Sequence, residues 1–149
     1  MYKRILVPVE NSPFDDAIVD HVKLLARICN SSVILIHVAD GWAARNISHL
    51  KLRESEEMQN DRAYIERLSA TLEAEGFDSE AVLASGDPAS EISAAAVREE
   101  CDLIAMSTHG HKFIGDLIHG SVAHGVRHGS TIPVLLVRGN ARGRGAAGA

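Results

Sequence analysis

The sequence predicts a doubly wound α/β fold: a five-stranded parallel sheet with helices on both faces. Short apolar runs rich in β-branched residues alternate with helical stretches along the chain, and that alternation calls for parallel strands joined by helical crossovers. The runs are mostly apolar throughout, as strands covered on both faces are. The composition agrees: 46% hydrophobic with only 4% aromatic residues, so Ala, Val, Ile and Leu must fill the core between helices and sheet.

Residues 3–9 (KRILVPV) form the first buried strand. Asn11, Ser12 and Pro13 follow as a turn, with Ser12 expected as helix N-cap and Pro13 at the first helical position. Ala17, Ile18, Val22, Leu25 and Ala26 recur near a 3.6-residue period, giving a helix that ends near Asn30. Residues 32–38 (SVILIHV) are the second strand. Residues 39–52 show no period, hold the only tryptophan, Trp42, and read as an irregular excursion. Residues 54–75 make a long amphipathic helix with Met58, Ile65, Leu68 and Leu72 on one stripe, stopped by Gly76. The third strand covers 78–84, and Gly86-Asp87-Pro88 turns the chain into a helix over 89–99. The fourth strand covers 103–107. A loop rich in glycine and histidine leads to a helix expected to begin near Gly120 and Ser121. The fifth strand is 132–137 (IPVLLV). The Gly/Ala/Arg-rich stretch 139–149 has too little apolar surface to pack, so the domain is expected over 1–138 with a disordered tail.

At 149 residues the chain fits one domain, large enough to fold without disulfides or metal. Cys29 and Cys101 form no CxxC pair and read as reduced thiols. Net charge is −5, and two of the fifteen basic residues, Arg142 and Arg144, sit in the tail. An acidic body argues against nucleic acid as a partner, because such binding neutralises phosphates with Lys and Arg. No apolar stretch approaches the ~18 residues of a membrane span, and the N-terminus lacks the apolar core of a signal peptide. A cytoplasmic location with no membrane partner is expected.

In open sheets of this kind ligands sit at the carboxyl ends of strands where the strand order reverses. The pattern there is Ser107-x2-Gly110-x9-Gly120-Ser121. Gly110 permits a sharp turn at the end of a strand, and Gly120 lets backbone approach a bound group. Ser121, read at a helix start, would offer free N–H groups and a hydroxyl to an anion. The same residues also suit a plain turn and helix cap.

The run STHGHKFIGDLIHGSVAHGVRHGSTIPVLLVR resembles the C-terminal signature of universal stress proteins. The opening KRILVPVENSPFDDAI resembles the first strand, loop and helix of that family; LIHVAD resembles its second strand and ASGDPASEI the entry to its third helix. The resemblance covers residues 2–138. It implies a sheet ordered 3-2-1-4-5 and, in one subgroup, ATP binding through Gly-x2-Gly-x9-Gly-Ser/Thr, of which this chain has all but the first glycine, here Ser107. It also implies that Pro8, Val9 and Glu10 lie against the nucleoside, with Glu10 where the family usually has a ribose-recognising aspartate. Val38 corresponds to the residue whose backbone meets adenine. Gly110, Gly120, Ser121 and Val122 match phosphate-binding positions, and His109 is a candidate to position a phosphate or its turn. The implied cofactor is ATP or another adenine nucleotide, with Mg²⁺ or Mn²⁺ held by the phosphates. The implied assembly is a homodimer paired antiparallel through the last strand.

Other features carry less. His124 and His128, at i,i+4, have the spacing of two zinc ligands, but there is no HExxH and no evident third ligand, so no metal site is assigned. Gly143-x-Gly145-x-x-Gly148 follows no β-α unit and is no dinucleotide fingerprint. Asp15 and Asp16 read as acids in the first turn of a helix. No nucleophile–base arrangement can be placed by spacing. The sequence therefore points to a nucleotide-binding stress or regulatory protein with little or no catalysis. A slow ATP hydrolase or phosphotransferase and a dimer that binds no nucleotide are the alternatives.

Overall fold

The computed structural model describes residues 1–40, 51–109 and 116–139, with side chains described over 1–39, 56–108 and 121–139. Among the described residues five strands and four helices alternate: β1 (Arg4–Pro8), α1 (Asp15–Cys29), β2 (Ser32–Asp40), α2 (Lys51–Ala74), β3 (Ser79–Gly86), α3 (Pro88–Arg98), β4 (Leu103–His109), α4 (Asp116–Gly129) and β5 (Val134–Gly139). The sheet is wholly parallel and ordered β3-β2-β1-β4-β5, as expected.

Side-chain alternation along the strands divides the core into two layers. Ile5, Val7, Val33, Leu35 and Ala105 face α1 and α2, where they meet Ile18, Val22, Ile65 and Leu72. Leu6, Ile34, Ile36, Ile104 and Met106 face α3 and α4, where they meet Ile92, Ala95, Ala96, Ala123 and Val126. Most of these side chains are fully buried, as a two-sided parallel sheet requires.

The pairing of β1 shapes the site. It runs beside β2 over five residue pairs, from Arg4↔Ser32 to Pro8↔Ile36, but beside β4 over only Ile5↔Leu103 and Leu6↔Ile104. At the amino end these two strands are fastened. The Asp102 carboxylate accepts hydrogen bonds from the backbone N–H groups of Lys3 (2.9 Å) and Arg4 (3.0 Å), and Asp102 N donates to the Arg4 carbonyl. Burial alone would raise the Asp102 pKa, but the N–H groups of Lys3 and Arg4 outweigh it and hold the carboxyl below its ordinary value. Beyond Leu6 the register with β4 stops while that with β2 continues, so a crevice opens at the carboxyl end.

Some boundaries differ from expectation. The first helix starts at Asp15 and not at Pro13: Ser12 accepts from Asp15 N through its carbonyl and from Phe14 N through its hydroxyl, forming a turn before the helix. β2 runs on to Asp40 and α2 already includes Lys51 and Leu52, which shortens the expected excursion; Trp42 lies outside the described residues. α4 begins at Asp116, so Gly120 and Ser121 fall in its second turn instead of at its start. β5 begins at Val134 rather than Ile132. Ile132 N instead donates to Ser130 Oγ, and Pro133, with no N–H of its own, offers its carbonyl to Ile104 N. Gly139 closes β5, and the rest of the expected tail lies outside the described residues.

Candidate functional site

A cavity of about 240 Å³ fills the crevice between β1 and β4. Its walls are chiefly apolar: Pro8 and Val9 from the end of β1, Ile36 and Val38 from β2, Met106 from β4, Pro88 and Ile92 from α3, and Val122 from α4. Polar groups come from Glu10, Asp15, His37 and Ser107. An apolar pocket at a topological switch point with a few placed polar groups is the usual form of a small-molecule site in an open α/β sheet.

Helix starts and strand ends deliver these residues. Asp87 caps α3 by accepting from Ser90 Oγ (2.7 Å) and Ser90 N (3.0 Å), with Pro88 opening the helix. The hydroxyl of Ser90, then its N–H, lower the pKa of the Asp87 carboxyl. α3 and α4 approach closely: a Cβ added to Gly125 would stand 2.8 Å from the Ala89 Cβ. That contact sets the spacing between the Pro88–Ile92 wall and Val122.

The loop after β1 is held by Asp15. This carboxylate is only 3% exposed and accepts from Glu10 N (2.9 Å), Ser12 N (3.1 Å) and the Tyr64 hydroxyl (2.6 Å). Its first-turn position is therefore incidental to its role as the anchor of the loop. Asn11, between the two N–H donors, takes a left-handed φ of 63°, which Asn tolerates better than most residues. His37 also joins elements: Nδ1 is 2.9 Å from the Val9 carbonyl and Nε2 is 3.0 Å from Asp61 Oδ2 on α2.

Six of the residues predicted for the site, Pro8, Val9, Glu10, Val38, Ser107 and Val122, line the cavity together. Ser121 is exposed on α4. His109 closes β4 opposite Gly139, while its side chain and the whole of Gly110 lie outside the described residues. Gly120 belongs to the backbone of α4. Asp15, His37, Ile36, Pro88, Ile92 and Met106 were not anticipated. A signal existed for Asp15, three residues after Ser12 and five after Glu10, the reach of a carboxylate folding back on its own loop. The others read as ordinary strand and helix residues.

Ser107 replaces a glycine and lines the cavity. By alternation its side chain lies on the side of Leu103 and Ala105, toward α1, while Met106 lines the cavity from the opposite face. Its hydroxyl meets the space left by the missing side chain of Gly139: a Cβ there would stand 2.7 Å from Ser107 Oγ and 3.5 Å from a ring carbon of Phe14. The hydroxyl is buried and has no hydrogen-bond partner among the described residues. Elsewhere, the exposed His124 and His128 rings lie 4.3 Å apart between centroids. Among the described residues no three His, Cys, Asp or Glu side chains converge as metal ligands.

The fold and sequence have clear relatives. Universal stress protein MJ0577 of Methanocaldococcus jannaschii is 32% identical over 158 residues, covering 93% of this chain and 96% of that protein. A solved structure of MJ0577 superposes with a TM-score of 0.82 at 29% identity, covering 94% and 98% of the two chains. Universal stress protein YxiE of Bacillus subtilis is 25% identical over 148 residues, covering 93% of this chain and all of that protein. A universal stress protein solved in complex with cAMP shares the fold, with a TM-score of 0.70 at 23% identity over 93% of this chain and 99% of that one. The model of the universal stress protein family matches residues 1–138, and with these relatives it shows that the chain belongs to the universal stress protein family.

Proposed function

We propose that this chain binds an adenine nucleotide in the β1–β4 crevice and acts as a stress-response or regulatory module in the cytoplasm, as a homodimer with little or no catalysis. The observation that carries the reading is the cavity itself: it lies at the switch point, has apolar walls for a flat base, and has Glu10 and Asp15 at its β1 side. Two solved structures of this fold are complexes with cAMP and with dAMP, ligands of those proteins that suit a crevice of this kind.

At about 240 Å³ the cavity is smaller than the ~300–1,000 Å³ usual for enclosing a drug-sized ligand. It suits base and sugar, with the phosphates leaving past Ser107 toward the segment that precedes Ser121 and carrying Mg²⁺ or Mn²⁺ in solvent. The cavity lining has two carboxylates and no Lys or Arg among the described residues. Such a lining favours ribose hydroxyls, which can donate to carboxylates, over phosphate within the cavity.

The sheet edge supports the homodimer. Among the described residues β5 has a neighbouring strand on one side alone, and its Leu136 is 42% exposed. Antiparallel pairing with a second copy across a two-fold axis would cover the other side and Leu136. Methyl NMR with ATP tests the site: shifts at Val38, Ile92, Met106 and Val122 support it, and shifts confined to the exposed Leu24 and Ile28 defeat it.

A further inference from the structure

The two polar side chains on the α2 side of the cavity are each held by a residue of that helix, one turn apart. Tyr64 donates its hydroxyl to Asp15 at 2.6 Å, and Asp61 meets His37 at 3.0 Å. His37 stands between two acceptors, the Val9 carbonyl on one ring nitrogen and the Asp61 carboxylate on the other. A neutral imidazole has one N–H and one lone pair, so it can donate to only one of them. Against a carboxylate that carries no proton of its own, both contacts are hydrogen bonds only when both nitrogens carry protons.

We infer that Asp61 and Tyr64 are positioning residues for the cavity, and that the His37 clamp between Val9 and Asp61 closes only on the doubly protonated ring. This inference rests on the nucleotide reading for its ligand but not for its geometry. Groups facing the ring are few among the described residues. Leu83 pairs with His37 from β3, and Val9 offers its carbonyl from β1. Asp61 comes from α2, with Tyr64 committed to Asp15. Glu10 and Asp15 are the charged groups sharing the cavity wall, and both are acids. No cation described there competes with the imidazolium. When the ring loses a proton, a lone pair faces either Val9 O or Asp61. The clamp then opens at one side, and the β1 end of the wall, which also carries Glu10, is released.

Calorimetric titration of ATP into the full chain across roughly pH 5.5–8.5 tests this, with the wild type compared at each pH with Asp61→Asn. Titration of the ligand itself cancels in the ratio of the two constants. Asn can accept from a protonated ring or donate to a neutral one, so its clamp holds at every pH. The expected result is a wild-type advantage at low pH that falls about tenfold toward high pH, the equivalent of one lost hydrogen bond. Tyr64→Phe should weaken binding by a factor that does not vary with pH. A ratio constant across the range overturns the inference. If neither protein binds ATP at any pH, the nucleotide reading fails, and the clamp is decided on the free wild type. There, nitrogen-15 shifts of the His37 ring and the Val9 amide must titrate together; a ring neutral at the low end of the range overturns it.

Discussion

Gly125→Ala tests how the two helices on one side of the cavity are spaced. The added Cβ would stand 2.8 Å from the Ala89 Cβ, against the ~3.5–4.0 Å at which two carbons rest comfortably. Neither partner is a flexible side-chain end, so α3 and α4 must separate by about 1 Å. Overpacking of this kind costs ~1–3 kcal/mol. Alanine in place of glycine within a helix recovers ~1 kcal/mol, which leaves a net loss of roughly 0–2 kcal/mol. For a chain of this size that is a fall of up to about 6 °C in Tm. The same separation moves Val122 from Pro88 and Ile92, so nucleotide affinity should fall as well. Thermal and urea melts of Gly125→Ala, Ala89→Gly and the double variant form a cycle with an expected coupling of ~1–2 kcal/mol. If Gly125→Ala proved more stable than the wild type and the coupling were zero, the close contact would not constrain the helices.

Four further outcomes follow from the same structure. Asp15→Ala strands the N–H groups of Glu10 and Ser12 and the Tyr64 hydroxyl; it should cost about 3 kcal/mol in urea unfolding and abolish detectable nucleotide binding. Gly139→Ala should destabilise by ~1–3 kcal/mol because of its 2.7 Å approach to Ser107 Oγ, and Ser107→Gly should restore most of it in thermal melts. The lowered Asp102 carboxyl contributes stability that is present above its unfolded pKa, about 3.9, and lost as pH falls through the lower folded value. Asp102→Asn should therefore cost about 1 kcal/mol at neutral pH, with the difference from wild type shrinking in melts below about pH 4. Leu136→Lys places like charges across the proposed β5 axis and should give monomer by light scattering, whereas a monomeric wild type at tens of micromolar would remove the dimer.

The five strands were legible because a sheet covered on both faces demands apolar, β-branched runs, and KRILVPV, SVILIHV and IPVLLV have no helical alternative of comparable length. Boundaries were less legible where a distant partner sets them. α1 starts at Asp15 because that carboxylate is turned back on its loop and held by Tyr64, forty-nine residues away, a pairing that local capping rules do not contain. β5 starts at Val134 because Pro133 supplies only a carbonyl to β4. Pro8, Val9, Glu10, Val38, Ser107 and Val122, expected at the site from the family resemblance and the switch-point rule, line one cavity. His37, Ile92 and Met106 looked like any strand or helix residue, and only the folding of β1, α2 and α3 around them makes them part of a wall. Ser107 shows the limit of a motif read position by position: its side chain is accommodated by Gly139, a residue the motif does not include.

The most direct test of nucleotide binding in the β1–β4 crevice is calorimetric titration of the purified chain with ATP in the presence of Mg²⁺. The proposed function predicts saturable binding near one nucleotide per chain, with a dissociation constant on the order of micromolar, equivalent to about −8 kcal/mol. Val122→Glu, which brings a third carboxylate into the cavity wall, should remove that binding while leaving the thermal melt cooperative. Absence of saturable heat with the wild type up to millimolar ATP would contradict the account, as would undiminished binding by Val122→Glu.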